Sequence, residues 1–138
     1  MKKLFILVAA LGTISFSAMA QSPQKMNYQA VIRNASNNLV TNTAVGSRVS
    51  ILQGSATGTP VYIETHTGTT NANGLLSFEV GAGTPVMGTF AGINWANGPY
   101  FIKTENDPNG GTNYTISGTS ELLSVPYALF SANATPGP

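Results

Sequence analysis

Met26, Tyr28, Ala30 and Ile32 alternate along the chain with Asn27, Gln29, Val31 and Arg33, the period of two that marks a half-buried strand. The same period predicts strands over 48–52, 61–66 and 75–80. In the second of these, Val61, Ile63 and Thr65 share one face, and Tyr62, Glu64 and His66 share the other. Further strands are expected over 100–105, 114–117 and 122–125. Residues 34–38 read as a turn cluster, because Asn and Ser side chains bond back to the local backbone. Small residues and a proline interrupt the chain over 54–60. Asn71-Ala72-Asn73-Gly74 predicts a tight hairpin, since Asn-Gly readily takes positive φ. Residues 81–92 are too rich in Gly and Pro for a regular element, and Phe90, Ile93 and Trp95 are expected to fold back over one end of the core. Short strands with turn chemistry between them, and no amphipathic helix of useful length, predict an all-β antiparallel sandwich of about seven strands. The pattern leaves the pairing order open.

The first twenty residues follow a different rule. Lys2 and Lys3 precede an apolar run over 4–10 that residues 11–16 extend, and Ala18-Met19-Ala20 supplies small residues at −3 and −1. That is the layout of a secretory signal peptide cut between Ala20 and Gln21. The run is shorter than the roughly 20 residues a membrane span needs, and no stop-transfer charges follow it. The chain contains no cysteine, which excludes a lipid-modified cysteine at the cleavage site.

Removal of 1–20 leaves one domain over 21–125 and a short tail over 126–138. Four basic residues (Lys25, Arg33, Arg48, Lys103) then face five acidic ones (Glu64, Glu79, Glu105, Asp107, Glu121), a net charge of −1. No basic patch is available for nucleic acid. An exported domain without disulfides must be held by its core alone, and the periodic apolar residues separate it from a disordered chain. An exported chain with no cysteine beside a Met-Lys-Lys start points to a bacterial source. The sequons at Asn34, Asn113 and Asn133 then read as chance matches.

Thr70-x-x-x-Gly74-x-x-x-Phe78 resembles transthyretin-like and carboxypeptidase-regulatory-like sandwiches, an immunoglobulin-like class of fold. A wider resemblance rests on four blocks in order: residues 26–33, Asn73-Gly74, residues 98–105, and Leu123-Ser124-Val125-Pro126-Tyr127-Ala128-Leu129. Together they resemble a family of exported proteins of Bacteroidetes-type bacteria, over residues 21–132. The resemblance implies a module placed directly after a signal peptide and ahead of collagen-like repeats, tail-fibre-like domains or other surface modules. It brings no catalytic residues. The chain departs from that pattern by stopping at Ala134-Thr135-Pro136-Gly137-Pro138, so a fragment of a longer protein and a stand-alone version both stay open.

Candidate chemistry is thin. His66 is the only histidine and has no cysteine to join it, so it reads as a solvent-facing strand residue. Glu64 on the same face offers a weak pair and little else. Glu105 and Asp107 read as solvated acids at a strand-to-loop junction, not as a glycosidase pair. Asp107-Pro108-Asn109-Gly110-Gly111 lacks the further acidic ligands of a calcium loop and reads as a plain turn. Trp95, with Tyr100 and Phe101 nearby, is either an aromatic platform for a sugar or a cap on the core. Val125-Pro126 suits a strand giving way to a short helix carrying Tyr127, Leu129 and Phe130, too apolar to stay solvated alone.

These readings favour a non-enzymatic module, exported to the cell surface, the extracellular space or the periplasm. It uses no cofactor or metal, has no transmembrane anchor, and its partners are cell-surface components or further copies, as a trimer or other homo-oligomer, meeting through the tail. The alternative is a carbohydrate- or peptide-binding sandwich using Trp95 and the 81–92 loop. Interface or ligand contacts are expected at Trp95, Tyr100, Tyr127 and Phe130. Secreted protein should begin at Gln21, checked by intact mass; an uncleaved, membrane-bound form would reject soluble export.

Overall fold

The computed structural model describes residues 24–123. The predicted signal peptide with its cleavage residues Ala18, Ala20 and Gln21, and the predicted tail with Tyr127 and Phe130, lie outside the described residues. No helix among the described residues is long and apolar enough to cross a membrane.

Seven strands form: β1 (Met26–Val31), β2 (Ala44–Gln53), β3 (Thr59–Thr69), β4 (Leu75–Val80), β5 (Thr84–Met87), β6 (Tyr100–Asp107) and β7 (Ile116–Glu121). They make two antiparallel sheets, a five-stranded one in the order β5-β3-β2-β6-β7 and a two-stranded ribbon of β1 and β4. The described residues contain no α-helix, only two 3-10 turns at Phe90–Gly92 and Trp95–Asn97. The protein is thus all-β and sandwich-like, as the alternation predicts.

The ribbon lies across one face of the larger sheet. Val49 and Ile51 of β2, Tyr62 of β3, Val80 of β4 and Ile102 of β6 share one core cluster. Ile32, Val40, Val45 and Leu76 form a second cluster. Contacts between the layers are specific: Phe78 stacks on His66 with ring centroids 4.2 Å apart, and the Tyr28 hydroxyl meets Thr104 Oγ1 at 3.2 Å. Such burial is the main favourable term available to a domain without covalent cross-links.

Several local expectations are corrected. Residues 71–74 do not close a hairpin, because β3 pairs with β2 and β5 while β4 pairs with β1. The turn instead carries the chain from one layer to the other. Asn71 Oδ1 accepts the N–H groups of Asn73 and Leu75, and Gly74 sits at φ +73° while its carbonyl accepts the N–H of Ile32. The side chain that would signal a hairpin serves equally well at such a corner. Residues 81–92 do contain a strand. β5 runs beside β3 across a register shift at Ile63/Glu64, and its Pro85 is tolerated because the strand is an edge. Of the strand expected over 122–125, Leu122 and Leu123 lie outside β7, which ends at Glu121, and residues 124–125 lie outside the described residues. Tyr114, too, precedes β7, and β2 and β3 run well past their predicted ends. Residue 78 is inward-facing as its period requires, half-buried between Tyr28 and His66. Phe78→Ala should therefore cost about 3 kcal/mol, measured by denaturant unfolding; a near-neutral value would mean the two layers do not meet there.

Candidate functional site

In β3 the two faces are assigned opposite to expectation. Register with β2 places Ile51 against Tyr62 and Val49 against Glu64, so Tyr62, Glu64 and His66 point into the core. His66 is not solvent-facing: its side chain is 12% exposed, and that of Glu64 is fully buried. A buried carboxylate is costly unless every lone-pair direction is used. Here each oxygen takes two donors. Oε1 accepts from His66 Nε2 at 2.9 Å and from the Gly81 N–H at 2.9 Å. Oε2 accepts from the Tyr62 hydroxyl at 2.7 Å and from the Gly83 N–H at 2.9 Å. Because a carboxylate only accepts, His66 carries its proton on Nε2 in this contact.

Glycine makes the approach feasible. A Cβ on residue 83 would lie 2.6 Å from His66 Nε2 and 2.7 Å from the Thr65 carbonyl, and Gly81 sits at φ +97°. Burial by itself would push the Glu64 carboxyl up, but the bonds from His66, Tyr62, Gly81 and Gly83 outweigh it and hold the group below the ordinary value of 4.5. Burial, reinforced by the Glu64 charge, drives the Tyr62 phenol strongly upward. The Glu64 carboxylate is closed from solvent and its four bonds are all internal, so what it does is fasten the β4–β5 loop onto β3.

That loop leads to the aromatic residues. The Tyr62 ring meets Phe90 edge-on at 5.6 Å, Phe90 meets Trp95 at 5.7 Å, and Trp95 meets Tyr100 at 5.2 Å. Tyr100 is buried and donates its hydroxyl to the Asn94 carbonyl at 2.6 Å, while Trp95 remains 43% exposed. Ile93 is buried and Phe90 packs on the core, so the expected fold-back over one end does occur. Phe101 is not part of the platform, since it alternates to the opposite face of β6 from Tyr100.

Trp95 and Tyr100 do come together, on the wall of an open groove of about 700 Å³. Phe90, Pro99, Met26 and Leu122 supply further apolar wall, and the first and last described residues, Gln24 and Leu123, both line it. Leu122 is held there by its N–H on the Tyr100 carbonyl at 2.8 Å. A separate depression of about 400 Å³ behind Tyr100 carries Gln53, Thr89, Asn94 and Asn97.

Asp107 and Glu105 are also engaged. Asp107 is buried, with its oxygens accepting the N–H groups of Asn109 and Asn113; it organises its loop. Glu105 pairs with Arg48 at 2.7 Å and Lys103 at 3.1 Å, and the Arg48 bond, against the opposing effect of burial, sets its carboxyl below the ordinary range. Among the described residues no group of histidine and acidic side chains is arranged to hold a metal ion. Sequence reasoning missed the Glu64 hub; its signal was a Tyr-x-Glu-x-His alternation followed by Gly81 and Gly83, residue types that a buried carboxylate needs around it.

Comparison with known families matches residues 27–122 to the domain of unknown function DUF8740. The chain belongs to this family. No curated protein and no solved structure matches it. The DUF8740 match begins in β1 and ends at Leu122, so it encloses the Glu64 cluster and the Phe90, Trp95 and Tyr100 wall of the groove, with Gln24, Met26 and Leu123 just outside it. For this DUF8740 chain, a depressed Glu64 value means that its contribution to stability is present above the unfolded value and is lost as pH falls through the folded one. Glu105 acts in the same sense. Thermal stability should thus hold above about pH 5 and fall below the ordinary glutamate value of 4.5. Glu64→Gln should cost about 3 kcal/mol or more, because its NH₂ would face a glycine N–H that needs an acceptor, and should flatten the acid-side slope in the same melting series.

Proposed function

We propose that this chain is a non-enzymatic module of an exported or surface-bound bacterial protein, folding independently and carrying its neighbouring segments from one pole. One observation supports this reading above the rest. Gln24 and Leu123 converge on a single apolar groove, so whatever precedes and follows the domain leaves it at the same end. The remaining parts of the reading come from the sequence: a signal peptide over 1–20 cut ahead of Gln21, a short helical connector after Pro126, and a resemblance to Bacteroidetes-type modules that precede stalk or fibre domains. Kinship with immunoglobulin-like or transthyretin-like sandwiches is carried no further than a two-layer antiparallel architecture, since five strands here face two, unlike the four-and-three division of an immunoglobulin constant domain.

The carbohydrate- or peptide-binding alternative needs an aromatic face beside free polar groups. In this fold the groove of Trp95 carries Gln24 and Glu121 beside its aromatic wall, and most of the side-chain amides lie in the separate depression behind Tyr100. The module reading is preferred because both ends of the domain run onto that groove. A reporter fused after Pro138 should be recovered outside the cytoplasm of a Gram-negative host, in processed form. Cytoplasmic retention would reject the reading. Retardation in polysaccharide gels that disappears in Trp95→Ala would replace it with the alternative.

A further inference from the structure

We propose that the aromatic groove is the docking site of the chain's own following segment, residues 127–130, seated in cis with Tyr127 and Phe130 against Trp95. This deepens the reading of the groove end as the connecting pole and stands independently of whether the protein is exported. The groove of about 700 Å³ is within the range that takes up a compact ligand, and its walls are the rings of Phe90, Trp95 and Tyr100 with Met26, Pro99 and Leu122, while Gln24 and Glu121 supply its polar part. An exposed aromatic and aliphatic wall of this kind marks a docking surface for apolar side chains.

Three observations single out that segment. The bond from the Leu122 N–H to the Tyr100 carbonyl brings the chain onto the groove wall, and Leu123 stands at the rim with 77% of its surface exposed. From there Tyr127 is four residues away, a reach of at most roughly 14 Å, so the segment is held beside the groove at high effective concentration. Finally, Ser124-Val125-Pro126-Tyr127-Ala128-Leu129-Phe130 brings four large apolar side chains, whereas the segment entering from the other side, Gln21-Ser22-Pro23, brings none. In a first helical turn after Pro126, Tyr127 and Phe130 fall on one face at i, i+3. A helix that short is marginal alone and persists only when packed.

The chain supplies its own reporter, since Trp95 is its only tryptophan. In the processed chain ending at Pro138, Trp95 emission should be protected from acrylamide. In Tyr127→Ser with Phe130→Ser it should shift to the red and lose that protection, with far-UV circular dichroism unchanged. Tyr127→Phe should behave as the parent. Equal quenching in the parent and the double variant would overturn the proposal. Protection that fades on dilution would overturn it too, by showing that a second copy, as in a trimer, fills the groove. Should the double substitution unfold the domain, the absence of native cysteines permits Met26→Cys with Phe130→Cys. Oxidation then gives an intramolecular disulfide if the occupant is in cis; linked dimers or no linkage would refute it. Failure of export in the reporter experiment alters none of these readouts.

Discussion

Everything at the groove end of this domain depends on one buried carboxylate. Glu64 lies in the core with four donors on its two oxygens, and two of those donors are backbone groups of the loop that starts β5. An unpaired charge there would be prohibitive; a fully bonded one fixes a loop that would otherwise have little to hold it, since β5 is short, exposed and carries a proline. The phenol of Tyr62 extends the same constraint to Phe90, and from Phe90 the contacts pass to Trp95 and Tyr100. The groove is therefore built outward from the carboxylate.

The layered all-β character was legible, because alternation is imposed by the pleat wherever one face is buried. Met26, Tyr28, Ala30 and Ile32 needed no further information. Pairing was not legible, and the turn at Asn71 shows why: its amide oxygen satisfies backbone N–H groups in the same way whether the flanking strands pair or part. β5 was hidden because edge strands need neither apolar periodicity nor freedom from proline.

The site was half legible. Trp95 and Tyr100 were found by residue type, and the structure places them in contact. The faces of β3 were misread because Val61 and Ile63 look more burial-prone than Glu64 and His66. Hydrophobicity ranks side chains one at a time, whereas the cost of burying Glu64 depends on partners as distant in sequence as Gly81 and Gly83. Asp107 and Glu105 were taken for solvated acids for the same reason: a loop amide or a cross-strand arginine is invisible from the acid's own neighbourhood.

The strand directions give the domain two unlike ends. Residues 24 and 123 meet at the aromatic groove, while the turns around 34–38, 71–74 and 108–113 gather at the opposite one, where Asn42 bonds Asn71 and a Cβ on Gly46 would collide with Gly111. That far end is an amide-lined tip whose Asn34, Asn71 and Asp107 side chains are already committed to their own backbone. A chain entering and leaving by one door can exchange its neighbours without disturbing that tip.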